Sequence, residues 1–260
     1  MTEHRSVNRR RFLGYLVAAP TLAVAVDWAA SPQRASASVP SAPEPEEIFD
    51  LGDMQKLAAA PTSGLITVTL NEDGTASFAV PRAEVGQGMT TAIAMMVAEE
   101  LDLPLDQVSV TLADARPELM MNQFTAASNS MRSMYIPVRT AAAIAREQLI
   151  ATAAAKWSAD ATQLTTSDGV ITGPGGQTLT YGELAAAAAA STTTAVTATL
   201  KDPSDFTILG TSQSRVDAPE SITGKKQFTM DLQIPNALPT MVARPPTINA
   251  PWCPSTTSRR

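Results

Sequence analysis

Apolar and polar positions alternate through Leu65-Ile66-Thr67-Val68-Thr69-Leu70 and again through Thr75-Ala76-Ser77-Phe78-Ala79-Val80, with Asn71-Glu72-Asp73-Gly74 between them. A two-residue period puts the aliphatic side chains on one face of an extended chain, and a Gly-containing turn between two such runs predicts a β-hairpin. The period then changes. Across residues 89–101, Ile93, Met96, Val97 and Leu101 recur at helical spacing, and Pro104 stops the run. Residues 107–112, Gln-Val-Ser-Val-Thr-Leu, alternate again and predict a third strand. The order strand, strand, helix, strand makes a compact α+β module.

Residues 114–133 carry no period, whereas 138–157, rich in Ala, Ile and Leu, predict a second, long helix. Val170-Ile171 and Thr178-Leu179-Thr180 flank Gly173-Pro174-Gly175-Gly176 and predict another hairpin. Tyr181-Gly182-Glu183-Leu184 opens a short helix through the alanines at 185–190, a run with high helix propensity and no chemistry. The module thus spans 63–200. Beyond it, Ile208-Leu209-Gly210, Arg215-Val216-Asp217-Ala218-Pro219, Ile222-Thr223-Gly224 and a strand candidate at 227–232 predict the opening of a second, strand-rich domain over 201–246, before a divergent tail at 247–260. Residues 38–62, with Pro40, Pro43, Pro45 and Pro61, read as a linker holding one short helix around 48–57.

Ahead of the linker, Arg9-Arg10, the spacer Arg11 and Phe12-Leu13 directly precede the apolar run 15–26. That is a twin-arginine export signal in form. The apolar run is interrupted by Pro20 and ends at Asp27, well short of the roughly 20 residues a membrane-spanning helix needs. Ala35-Ser36-Ala37 offers small residues at the cleavage positions, so residues 1–37 are expected to be a removable leader and the remainder to lie in the periplasm or outside the cytoplasmic membrane. The chain has a formal net charge of −6; the leader holds five arginines against Glu3 and Asp27, so residues 38–260 carry −9. A surface that acidic does not suit a sequence-independent grip on nucleic acid.

Composition removes further chemistries. The single histidine is His4, which excludes a Ser-His-Asp triad, a histidine base in the body and a multi-histidine zinc site. The single thiol is Cys253, so the chain can form no internal disulfide and hold no iron–sulfur cluster by itself. Redox chemistry would require a bound cofactor and a partner that carries electrons away.

Two segments carry candidate chemistry. In Glu84-Val85-Gly86-Gln87-Gly88-Met89-Thr90-Thr91, a strand enters a helix through two glycines, which lets a ligand approach the backbone at a helix start that favours anions. A dinucleotide-binding fingerprint wants a third glycine at 91, which is threonine, so nicotinamide is not indicated. Downstream, Thr125-Ala126-Ala127-Ser128-Asn129-Ser130 is a run of small and hydroxyl residues suited to packing backbone against a polar ligand. Arg132 and Arg139 could pair with phosphate or with acids of the same module, surface pairing being the expected outcome. Met95, Met96, Met120 and Met121 are expected to pack rather than to bind metal.

These segments, together with Glu99-Glu100-Leu101-Asp102, Val108-Ser109-Val110 and the helix that begins near Arg139, occur in an order that resembles molybdenum hydroxylase large subunits. The likeness is greatest to the xanthine dehydrogenase/aldehyde oxidase family, in the branch that contains the isoquinoline 1-oxidoreductase β-subunits. Arg215-Val216-Asp217-Ala218-Pro219, Thr223-Gly224 and Arg244-Pro245-Pro246 resemble the start of that family's hammerhead α/β domain. The resemblance covers about residues 63–246. It implies a molybdopterin cofactor in its cytosine dinucleotide form, and hydroxylation of an N-heterocycle or aldehyde with water as the oxygen source. It implies that Gly86, Gln87 and Gly88 contact the pterin or its phosphates and that Ala126, Ala127, Ser128 and Ser130 line the molybdenum side of the pocket. The metal is expected to be held by the pterin dithiolene, with no protein ligand. A two-iron two-sulfur small subunit, and beyond it a cytochrome, are the implied electron partners.

The family's catalytic glutamate lies in a Gly-x-Gly-Glu type of motif, and no such motif occurs here. Residues 247–260 also leave the family pattern. The sequence therefore reads as a truncated large subunit without its catalytic base, inactive alone; the alternative is an exported, non-enzymatic binding or chaperone-like module on the same scaffold.

Overall fold

A computed structural model of the chain describes residues 22–26, 66–114, 123, 125–126, 128–190 and 199–241. The arginine motif of the leader, the 35–37 cleavage positions, the short helix expected around 48–57, Ala127, Met120, Met121 and the tail 247–260 lie outside the described residues.

The first sheet has four strands in the order β1 (Leu22–Val26), β2 (Ile66–Leu70), β3 (Ala76–Val80) and β4 (Val108–Leu112). β2 and β3 are the expected hairpin, antiparallel with Val68 opposite Phe78. β4 runs parallel to β3, pairing Phe78 with Val110, so a crossover must join them. That crossover contains α1 (Met89–Leu101), bounded as the periodicity predicts. β1 comes from the apolar run 15–26 of the expected leader and pairs antiparallel with β2 along its full length, Val24 opposite Val68.

The alternation read in the sequence sets the burial. Ile66, Val68, Leu70, Ala76, Phe78 and Val80 are buried against Ile93, Met96, Val97 and Leu101 of α1. The opposite face, with Thr67, Thr69, Ser77 and Thr111, borders an open cavity of about 470 Å³. α2 (Asn129–Trp157) packs along α1 through Met134, Val138, Ala141, Ala142, Ala145 and Leu149. It begins nine residues earlier than the sequence predicts and carries Pro137 inside it. A proline there removes one amide bond, but burial of Met134 and Val138 on either side keeps the helix continuous.

A second, antiparallel sheet holds β5 (Thr165–Ser167), β6 (Val170–Thr172) and β7 (Thr178–Thr180). The predicted hairpin is β6–β7; β5 adds a strand the pattern did not show. α3 (Tyr181–Ala190) follows, and its first residue is a fully buried tyrosine whose hydroxyl donates to the Leu101 carbonyl at 2.6 Å. Burial pushes that phenol well above the ordinary tyrosine range, so it stays a donor. At Gly182 a Cβ would overlap the Glu72 carbonyl, which is why the close approach of α3 to the β2–β3 turn needs glycine.

The chain divides into two units, Met1–Lys226 and Gln227–Arg260. In the first, residues 199–226 hold a turn at Pro203–Asp205 and the short α4 (Ala218–Ile222). In the second, the predicted strand at 227–232 is instead a single 3-10 turn, Thr229–Asp231, closed by the Phe228 amide donating to Asp231 Oδ2 at 2.9 Å. A strand needs a second strand beside it, and no strand of the described residues pairs with this segment. No helix of the described residues is long and apolar enough to cross a membrane.

Candidate functional site

α1 and α2 both begin at one loop cluster. The Gly-Gln-Gly turn feeds α1 through Gly88, which sits in the left-handed region with φ 77°, and Gly86 has φ 101°. The Ser-rich turn feeds α2 through Ser128, also left-handed with φ 55°. Neither Gly88 nor Ser128, the residues that cap the two helix starts, makes a side-chain capping bond.

The two turns meet on Ala83. Its carbonyl accepts from Gln87 Nε2 at 3.1 Å and from Thr125 Oγ1 at 2.8 Å, while its amide donates to the Gln123 carbonyl at 3.3 Å. Beneath them Arg82 donates from Nη2 to Ser133 Oγ at 2.7 Å, and that hydroxyl donates to the Ser130 carbonyl at 3.2 Å. Burial lowers the Arg82 pKa to about 10, which still leaves it cationic at neutral pH. The Ser-rich turn is tightened locally: Ala126 N donates to Asn129 Oδ1 at 3.2 Å and Asn129 N to the Ala126 carbonyl at 3.0 Å.

Of the residues expected to touch a cofactor, Gly86, Gln87 and Ser128 are exposed, Gly88 and Ala126 are half-buried, and Ser130 is buried. They share one end of the helix pair; Ala127 lies outside the described residues. The Gly-Gln-Gly turn is internally braced. Glu84 Oε1 accepts from the amides of Gly86 and Gly88 at 2.8 and 3.0 Å, and Gln87 Oε1 accepts from Val85 N at 2.6 Å. Two buried polar atoms here lack a hydrogen-bond partner, Thr90 Oγ1 in the first turn of α1 and Glu84 Oε2.

Polar rather than apolar, the cluster already has the amides of Gly86 and Gly88 held by the buried Glu84 carboxylate. It offers two helix starts, an orphaned hydroxyl and the buried cation of Arg82 around exposed backbone. Sequence reasoning did not single out Arg82; its signal is a basic residue at the end of a buried strand, immediately ahead of the glycine turn. Among the described residues, no group of three or more His, Cys, Asp or Glu is placed to hold a metal ion.

Arg139 does not reach this cluster, and the expected surface pairing is corrected. It is buried, bonded to Glu100 Oε1 at 2.7 Å and to the Lys201 carbonyl at 2.7 Å, with its guanidinium over the rings of Tyr135 and Phe206 at 5.1 and 4.9 Å. Arg132 is exposed. Met96 packs in the core as expected.

The family model described as "Molybdopterin cofactor-binding domain" matches residues 48–222. A nicotinate dehydrogenase subunit of Pseudomonas putida is 35% identical over 180 residues, which is 69% of this chain and 15% of that protein. The β-subunit of isoquinoline 1-oxidoreductase from Brevundimonas diminuta is 30% identical over 272 aligned positions, 90% of this chain and 33% of that protein. The chain thus spans a third or less of the length of these relatives. Among solved structures, quinoline 2-oxidoreductase from Pseudomonas putida 86 matches 47% of this chain and 16% of its own at 21% identity, TM-score 0.39. The Cu,Mo-CO dehydrogenase matches 50% of this chain and 18% of its own at 20% identity, TM-score 0.41.

Proposed function

Because this chain belongs to the molybdopterin cofactor-binding domain family, we propose that it forms one wall of the cofactor site in the large subunit of an exported molybdenum hydroxylase acting on N-heterocycles or aldehydes. The observation that carries this reading is the convergence of Gln87 and Thr125 on the Ala83 carbonyl, which puts both candidate turns at the start of two helices. When bound, the cofactor supplies a two-electron oxidation with water as the oxygen source. The chain's own part is to bind and orient. Gly86, Gln87 and Gly88 present backbone on one side, Ala126, Ser128 and Ser130 on the other, and Arg82 with the two helix starts offsets the charge of phosphate groups.

The cytosine dinucleotide form, a two-iron two-sulfur subunit as first electron acceptor, and a cytochrome beyond it belong to the same proposal. Export is supported by Arg9-Arg10 ahead of the apolar run, since the twin-arginine route suits a protein folded around its cofactor before it leaves the cytoplasm. Hydroxylation is assigned to the assembled enzyme, so this chain alone is expected to turn over neither aldehyde nor N-heterocycle. Recovery from its native host with its bound subunits should return molybdenum and, after acid hydrolysis, a cytosine nucleotide. Absence of both overturns the cofactor reading; molybdenum with a different nucleotide, or none, overturns the dinucleotide assignment.

One observation favours a ligand-free binding or chaperone-like module instead: the amides of Gly86 and Gly88 already bond to Glu84, so the turn can keep its shape unaided. That reading requires a cooperative melt at a temperature that cofactor loading leaves unchanged.

A further inference from the structure

The Gly-Gln-Gly turn is covered by a residue 129 positions further along the chain. Arg215 Nη1 donates to the Gly86 carbonyl at 2.9 Å, and a Cβ on Gly88 would come within 3.3 Å of the same guanidinium. The other edge of that guanidinium is forked onto Asp217, Nε to Oδ1 at 2.8 Å and Nη2 to Oδ2 at 2.9 Å. Asp217 also pairs with Lys226, whose Nζ lies 3.9 Å from Glu84 Oε1. Glu84 in turn holds the amides of Gly86 and Gly88. The charges alternate around a ring of Glu84, Lys226, Asp217 and Arg215 that closes on Gly86, whose amide is held by the first member and whose carbonyl by the last. Next to Arg215, the Val216 amide donates to Thr91 Oγ1 at 3.1 Å, which ties the same segment to the first turn of α1.

We propose that Arg215 is a positioning residue for the 86–88 turn, aimed by its fork onto Asp217. A guanidinium can satisfy a carboxylate with one edge and a carbonyl with another at fixed angles, which an ammonium cannot. The functional consequence rests on the cofactor reading above; the positioning itself does not.

The test compares the full chain with R215A, R215K and D217N by hydrogen exchange of the peptide covering residues 83–91, with α2 as internal reference and a urea midpoint for global stability. R215A is expected to speed exchange in the turn by about tenfold, the effect of losing one charge-assisted bond, while α2 stays protected. R215K is expected to recover little of this, because it restores the charge without the fork, and D217N should shift the turn in the same direction as R215A. Unchanged exchange in R215A, loss spread equally over α2, or full recovery in R215K each overturns the proposal. Cofactor content in the assembled enzyme is read separately. A loosened turn with unchanged molybdenum content leaves the positioning role standing and removes the turn from the cofactor site.

Discussion

Gln87 and Thr125 donate to the same oxygen, the Ala83 carbonyl, from opposite turns of the loop cluster. The backbone of Ala83 is thus the point at which a strand end, a glycine turn and a hydroxyl-rich turn are held in register. T125V removes one of the two donors without changing side-chain shape. It is expected to cost about 1 kcal/mol by urea denaturation and to lower the molybdenum content of the assembled enzyme. An unchanged content would mean that register between the turns is irrelevant to loading.

Gly88 combines a left-handed backbone with a guanidinium at its surface. G88A therefore faces two costs, backbone strain at φ 77° and a crowded Arg215, expected to total about 1–2 kcal/mol. Combining G88A with R215A relieves the crowding and leaves the strain. The double variant should accordingly lose less than the sum of the singles in urea midpoints.

Much of the frame was legible from periodicity. The β2–β3 hairpin, α1, α3 and β6–β7 follow from where aliphatic residues repeat and where Pro104 and the glycines interrupt them. The start of α2 was not, because Ser128, Asn129, Ser130 and Pro137 favour turns locally and only packing on α1 overrides them. Nor was the ionic interior. Glu99 and Glu100 stand out in the sequence only as part of a motif series, yet both are fully buried, because their partners lie far along the chain at Arg139, Arg146, Lys201 and residues 207–209. The glycine and hydroxyl turns of the candidate site were visible as motifs. The contacts of Arg82, Glu84 and Arg215 needed the distances.

Glu100 is the hinge of that interior. It accepts from Arg139 at 2.7 Å and from Arg146 at 3.3 Å, and both guanidinium groups also donate to carbonyls of residues 199–201. E100A leaves two buried cations without their shared carboxylate and is expected to cost about 3–5 kcal/mol in urea denaturation. E100Q keeps the volume and one acceptor, so it should cost less. Equal losses in the two variants would mean that the charge alone is at stake, and that the volume and acceptor kept by glutamine count for nothing.

Acid should release residues 199–226 before the core unfolds. Burial works to raise the Glu99 pKa, but the amides of Leu209 and Ile208 and the Lys201 ammonium outweigh it and hold the carboxyl below its ordinary 4.5. The Arg215 fork, helped by Lys226, holds Asp217 well below its ordinary 3.8. A carboxyl whose pKa is depressed by folding contributes its full stabilisation above the unfolded value and loses it as pH falls through the folded one. Measured against an unstructured reference peptide, pepsin cleavage between 199 and 226 is therefore expected to accelerate as pH falls below about 4.5, where Glu99 begins to lose its contribution, and further below about 3, where Asp217 follows, with α1 and α2 still intact. Cleavage that is flat across this range would show that these two carboxylates do not hold the segment.

The edge of the first sheet raises a question of timing. β1 pairs all five of its residues with β2, from Leu22 opposite Leu70 to Val26 opposite Ile66, yet it lies inside the segment that cleavage behind Ala37 would remove. An uncovered strand edge presents a row of unpaired amides and carbonyls and invites pairing with another chain. A chain beginning at residue 38 should accordingly show faster hydrogen exchange in β2 than the full chain, together with concentration-dependent self-association by light scattering. V24P in the full chain should reproduce the faster exchange, because it removes an amide and stiffens the strand without deleting it. If the shortened chain exchanges β2 at the same rate and stays monomeric, residues 1–37 contribute nothing to the folded sheet, as the proposed role of a removable leader requires.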